Sequence, residues 1–173
     1  MPKKDGLELA SPTPKLPPQI DHDSARRFSW AIANVAMYLE ELRYFRAKTL
    51  SISGPQLTIL MAVIDLEEGQ GVSVRVVAKA IHVDPSFITT QTKLLEKKGL
   101  VRRRTDDTDA RVVKLSLTDK AYKQIASTAG EEEALNEFIF ADLTTQKLDE
   151  VTQRLNALKI RLEKACLKVE GGF

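Results

Sequence analysis

The chain is poor in the residues that build catalytic and metal centres. It holds one cysteine, Cys166, and two histidines, His22 and His82, far apart in sequence. A lone thiol excludes an intramolecular disulfide and leaves no second cysteine to resolve a sulfenic acid, which counts against oxidation sensing. Two isolated histidines give no metal-ligand spacing, so no metal and no cofactor is expected. Glycine-rich phosphate loops and nucleophile motifs are missing too, and Ser51, Ser53 and Ser73 lack a histidine partner, so an enzyme is not expected. No apolar run approaches the roughly 20 residues that span a bilayer, and the first residues lack the apolar core of a signal peptide. The expectation is a cytoplasmic protein without a membrane partner.

Proline is nearly confined to one end. Pro2, Pro12, Pro14, Pro17 and Pro18 share the first twenty positions with Lys3, Lys4 and Lys15, a composition that cannot nucleate a core. Residues 1–20 therefore read as a disordered tail and 21–173 as a single domain, for which 43% hydrophobic content is ample.

What is present is most informative between residues 72 and 117. Ser73 is a natural N-cap, and Val74, Val77, Ala78 and Ile81 recur at three- and four-residue spacing, which predicts a short helix over about 73–81. His82-Val83 forms a turn. Asp84-Pro85 restarts the chain, since a carboxylate accepts from the free amides of a first helical turn and proline has no amide to leave unpaired there. This second helix runs to Lys98 and closes at Gly99. Its buried side is Ile88, Thr92 and Leu95, with Phe87 at the margin. Ser86, Thr89, Thr90, Lys93 and Lys97 lie opposite: short hydroxyls first, then cations, an order that suits base edges and then phosphates.

Residues 100–104 and 112–117 alternate with a period of two, Val113, Leu115 and Leu117 on one side and Val112, Lys114 and Ser116 on the other, and should pair as a hairpin. Its tip, residues 105–111, is polar and free of large apolar groups, as a projecting wing would be. From Lys93 to Lys114 eight cations face four carboxylates, a surplus of four in a chain whose net charge is only +2. Charge concentrated at one place is the footprint of a polyanionic ligand. The expected fold is thus mainly α with a small β-hairpin wing, a winged helix-turn-helix over about 53–118, and the expected partner is double-stranded DNA.

At these residues the chain resembles the MarR-type winged helix-turn-helix regulators. The matching pieces are Asp84-Pro85-Ser86, then Leu95-Glu96-Lys97-Lys98-Gly99-Leu100-Val101, then Asp109 and Arg111 followed by Lys114-Leu115-Ser116-Leu117-Thr118. Gln91 and Thr92 depart from the pattern, standing where such proteins usually carry apolar residues. Either the helix packs more loosely here, or Gln91 turns toward DNA. The resemblance implies that Arg111 enters the minor groove, held by Asp109, while the helix from Pro85 lies in the major groove. The expected DNA-contacting set is Ser86, Thr89, Thr90, Gln91, Lys93, Lys97, Arg102, Arg104, Asp109 and Arg111.

Long amphipathic patterns flank this unit. Phe28, Ile32, Val35, Leu39 and Leu42 make an apolar seam on a helix over about 23–48, and Leu148, Val151, Leu155, Leu158, Leu162 and Ala165 make another near the end of the chain. A further helix is expected from Asp119 to about Asp142, capped by Thr118. Ser53-Gly54-Pro55-Gln56 offers a capping box for one through Leu66. Such terminal helices (about 23–48 and 119–169) exceed what a small winged unit needs, and the resemblance implies that they interlock in a homodimer. A two-fold dimer matches an inverted-repeat operator, and occupancy of a promoter implies repression, with activation elsewhere left open.

The resemblance also implies a small aromatic carboxylate or phenolic effector. The first helix offers Arg26 or Arg27 for the carboxylate, Trp30 and Tyr38 for the ring, and Asn34 one turn from both; the same aromatics would serve equally as dimer-core residues. A winged module that binds protein partners, or DNA without sequence preference, is the competing reading.

Overall fold

The computed structural model describes residues 20–67 and 69–172. The proposed tail, apart from Ile20, lies outside them. The described chain divides into two compact units, one ending at Gly54 and the other beginning at Pro55.

The first unit carries α1 (His22–Thr49). The Asp21 carboxylate accepts from the amides of Asp23 and Ser24 and so caps it. Ser51 closes it in a left-handed conformation (φ 56°), with the Ile52 amide donating to the Ala47 carbonyl at 2.9 Å. Along the predicted seam, Phe28, Val35, Leu39 and Leu42 are exposed within the single chain.

The second unit holds the winged helix-turn-helix. After α2 (Gly54–Leu66) come β1 (Val72–Ser73), α3 (Val74–Ala80), α4 (Pro85–Lys97), β2 (Val101–Thr105) and β3 (Val113–Leu117). Ser73 caps α3 through the Val76 amide, and Asp84 caps α4 through the Ser86 amide at 2.7 Å. The turn between these helices needs one residue with positive φ. His82 supplies it (φ 55°), and Val83 N donates back to Ala78 O at 3.0 Å. Gly99 ends α4 in the same way (φ 72°), with Leu100 N donating to Leu95 O, a conformation that a Cβ would strain.

The core of this unit joins Leu57, Ile59, Leu60 and Val63 of α2, Val77 of α3, Ile88, Thr92 and Leu95 of α4, and Val101, Leu115 and Leu117 of the sheet, all buried. Burying each large aliphatic side chain contributes about 1.5–3 kcal/mol. The helix registers read from the sequence are therefore fixed by burial: Ile88, Thr92 and Leu95 face in, while Phe87 stays at the edge.

The sheet has three strands where a two-stranded hairpin was expected. Its order is β1-β3-β2, all antiparallel, with Val101 opposite Leu117 and Arg103 opposite Leu115 in one pair and Val72 opposite Leu115 in the other. Two residues show no period, so β1 left no mark in the sequence pattern.

The expected continuous helix from Asp119 is broken in two, α5 (Asp119–Ala126) and α6 (Ala129–Ile139). The break falls at Ser127 and Thr128, whose hydroxyls donate to the carbonyls of Gln124 (2.7 Å) and Ile125 (2.9 Å). Local bonds of this kind compete with the regular helical ladder. Thr118 caps α5 as expected, through the Ala121 amide. α7 (Thr145–Glu170) follows, and no residue of it is buried within the chain. Among the described residues no single helix is long and apolar enough to cross a membrane.

Candidate nucleic-acid interface

α4 is amphipathic about the axis that the sequence indicates. Ser86, Thr90, Lys93 and Lys97 are exposed, and Thr89 is half-buried. The hydroxyls of Thr89 and Thr90 donate to the carbonyls of Pro85 and Ser86, both at 3.0 Å. Each oxygen keeps lone pairs for an incoming donor while its rotamer is set by its own helix. The Asp84 carboxyl is held below the usual carboxylate range by hydrogen bonds from Ser86, so the cap is charged at neutral pH.

Gln91 is where the expectation and the structure part. Its side chain is half-buried, and its Oε1 accepts from Nε2 of the buried Gln56 of α2 at 3.1 Å. The carbonyl oxygen of the side chain is thus directed at α2. The other departure from the family pattern, Thr92, is fully buried and donates to Ile88 O at 2.7 Å. Both side chains have partners within the unit, Gln91 through its Oε1 and Thr92 through its hydroxyl.

Arg102 and Arg104 are exposed on one side of β2, as their alternation requires. The wing loop is built by Asp106, a residue that the sequence did not single out. Its carboxylate accepts from the amides of Thr108 (2.9 Å) and Asp109 (3.1 Å) and pairs with the Lys114 ammonium at 2.7 Å. Led by Lys114, these partners hold its carboxyl far below the ordinary range. At the loop base Asp106 N donates to Val112 O at 2.9 Å. Asp109 and Arg111 meet as expected: Asp109 Oδ1 accepts from both the Arg111 amide (3.0 Å) and its Nε (3.2 Å). The Arg111 side chain is otherwise open, 91% exposed.

Between α3, the start of α4 and the wing lies a cleft of about 240 Å³, lined among others by Arg75, Thr89, Arg103 and Arg111. Arg75 and Arg103 were both missed. Arg75 falls in a short helix whose pattern drew attention only to its apolar side. Arg103 stands between two outward arginines, and the count of cations hid its different orientation. Its side chain is only 12% exposed.

The proposed effector residues share α1. Asn34 donates to the Trp30 carbonyl at 2.8 Å, and Trp30 and Tyr38, about two turns apart, are both exposed. Arg26 pairs with Asp23 (3.5 Å) and Arg27 with Asp21 (3.8 Å). Cys166 is exposed on α7. Among the described residues no group of three or more His, Cys, Asp or Glu could hold a metal ion.

Comparison with known proteins bears on the same segment. Residues 50–112 match the model of the MarR family. An uncharacterized HTH-type transcriptional regulator of Bacillus subtilis (strain 168), YdgJ, is 30% identical over 69 residues, 40% of this chain and 42% of that protein. The match thus spans well under half of that relative's length. The transcriptional repressor MprA of Escherichia coli (strain K12) is 28% identical over 122 residues, 69% of either chain. Among solved structures, the transcriptional regulator BldR from Sulfolobus solfataricus superposes with a TM-score of 0.67 at 25% identity, covering 83% of this chain and 99% of that one.

Proposed function

We propose that the protein is a MarR-type, sequence-specific DNA-binding regulator of transcription, a reading supported by the match of residues 50–112 to the MarR family model and by the likeness to the relatives above. One observation carries the reading. An exposed hydroxyl-and-lysine face of α4 stands beside a wing whose tip guanidinium, Arg111, is exposed and oriented by Asp109. A helix of this width fits a major groove, and an oriented guanidinium suits the negative potential of an adjacent narrow minor groove. Ser86, Thr89 and Thr90 then meet base edges. Lys93, Lys97, Arg102 and Arg104 meet phosphates, and the cleft flanked by Arg75 and Arg111 receives the sugar-phosphate ridge between the grooves.

The apolar seams left exposed on α1 and on α7 support a homodimer, because exposed seams of this length are normally covered. A two-fold dimer presents two α4 helices to half-sites one helical turn apart, about 34 Å, and so selects an inverted repeat. Repression follows by exclusion of polymerase from the occupied site, and the name of the Escherichia coli relative agrees. A small aromatic acid or phenol is the effector class that suits α1: Trp30 and Tyr38 offer ring faces, Asn34 lies between them, and Arg26 or Arg27 offers a fork for a carboxylate.

Selection of duplexes from a randomised pool, followed by competition with bulk DNA, tests the central claim. A regulator retains a palindromic site by orders of magnitude over bulk DNA. An architectural module shows no such preference, and that outcome refutes the reading. For the effector, benzoate-, hydroxybenzoate- and cinnamate-type acids are titrated while Trp30, the chain's single tryptophan, is followed by fluorescence and the selected duplex by anisotropy. Quenching with release is expected. Release that survives removal of Trp30 and both arginines assigns the effector to another site.

A further inference from the structure

Three consecutive arginines occupy β2, and the middle one behaves unlike its neighbours. Arg103 points inward, opposite Leu115 in the sheet register, with its side chain 12% exposed. An aliphatic side chain would fill that place without the desolvation cost of a cation. The guanidinium is nevertheless engaged with α4. Nη1 donates to the Thr89 carbonyl at 2.9 Å and to the Thr92 hydroxyl at 2.7 Å, and Nε lies 3.8 Å from the Glu96 carboxylate. These partners span two turns of α4 and begin at Thr89, in the part of the helix assigned to base edges.

We propose that Arg103 is a positioning residue that clamps the wing to the reading helix, so that major- and minor-groove contacts are held at a fixed separation before DNA arrives. The inference rests on the reading that both elements engage one duplex. A planar guanidinium with a fixed fork of donors can hold the helix at several points at once, whereas a lysine ammonium at the end of a flexible stem cannot reproduce that geometry. Thr92 is the second half of the device. Its buried hydroxyl gives its proton to Ile88 O and takes one from Arg103, which explains a polar residue at a core position. A preset separation removes the ordering that a loose wing would undergo on binding.

The test compares Arg103→Met, Thr92→Val and Thr92→Ser on two probes, the duplex selected by the wild-type protein and mixed-sequence bulk DNA. Met and Val should each weaken the selected duplex by about tenfold, the scale of one hydrogen bond to a charged group. Bulk affinity falls less than affinity for the selected duplex, the salt slope of Thr92→Val stays unchanged, and Thr92→Ser binds as wild type. Spin labels at Lys98→Cys and Asp107→Cys in a Cys166→Ser background should give a narrow distance distribution that broadens in Arg103→Met. Unchanged affinity for the selected duplex, or an unchanged distribution, overturns the clamp. Equal weakening on both probes, with a slope shallower by about one unit, makes Arg103 a direct phosphate contact instead. If Arg103→Met does not fold, Thr92→Val alone decides, since it keeps the shape of the side chain. A wild-type protein that prefers no duplex overturns the regulator reading, and the distance measurement still judges the clamp.

Discussion

Replacing Arg111 with alanine separates binding from folding more cleanly than any other change in the wing. The side chain is 91% exposed and, among the described residues, pairs with Asp109, so its removal should shift stability by no more than about 0.5 kcal/mol. Loss of a groove-reading arginine, by contrast, costs about 1–3 kcal/mol per half-site. The proposed dimer on an inverted repeat would lose the contact twice, about 2–6 kcal/mol in all, which is a fall in affinity of about 30-fold to 20,000-fold. Gel-shift titration on the selected duplex, with circular dichroism and light scattering as controls, reads this directly. A folded, dimeric Arg111→Ala protein that binds like wild type would falsify the wing assignment. Asp109→Ala should show a smaller loss in the same assay, because it frees the guanidinium without removing it.

Within α4, Thr90→Val should change which duplexes are selected, while Lys97→Ala should weaken all sequences alike and flatten the salt dependence by about one unit of slope; the same pattern for both would remove the helix from the groove. Leu155→Asp should leave the single chain folded, since Leu155 is exposed there, but should dissociate the proposed dimer by light scattering, because an unpaired carboxylate in a seam covered by a second copy would cost several kcal/mol. The Asp106 carboxyl, followed by carbon-detected NMR, should titrate well below the ordinary value of about 3.9 and move back toward it in Lys114→Met. Its folded pKa is depressed, so its contribution to wing order is complete at neutral pH and is lost as pH falls from about 4 toward the folded value. A midpoint near 3.9 in the intact protein would refute the loop geometry.

The parts of this fold that could be read beforehand are those in which one residue type has one physical use. Ser73 and Asp84 cap helices, Gly99 ends one, and Ile88, Thr92 and Leu95 define a face. The parts that could not be read depend on partners distant in sequence. Gln91 is directed at Gln56, Arg103 at Thr89 and Thr92, and β1 exists only because β3 lies beside it. The break at Ser127–Thr128 is an intermediate case. Two adjacent hydroxyl residues are a legible signal, but which carbonyls their side chains take, those of Gln124 and Ile125, shows only in the structure.

The base of the wing loop has a consequence for how such a protein can change. Asp106 N donating to Val112 O closes the loop where the strands end, and β3 is held on both edges, by β1 and by β2. Everything between those two residues is therefore a cassette: its sequence can be exchanged while the strand register and the core behind it stay where they are. Grafting a different tip between Asp106 and Val112 should retune minor-groove preference independently of α4, so that the two halves of the recognition code can diverge one at a time.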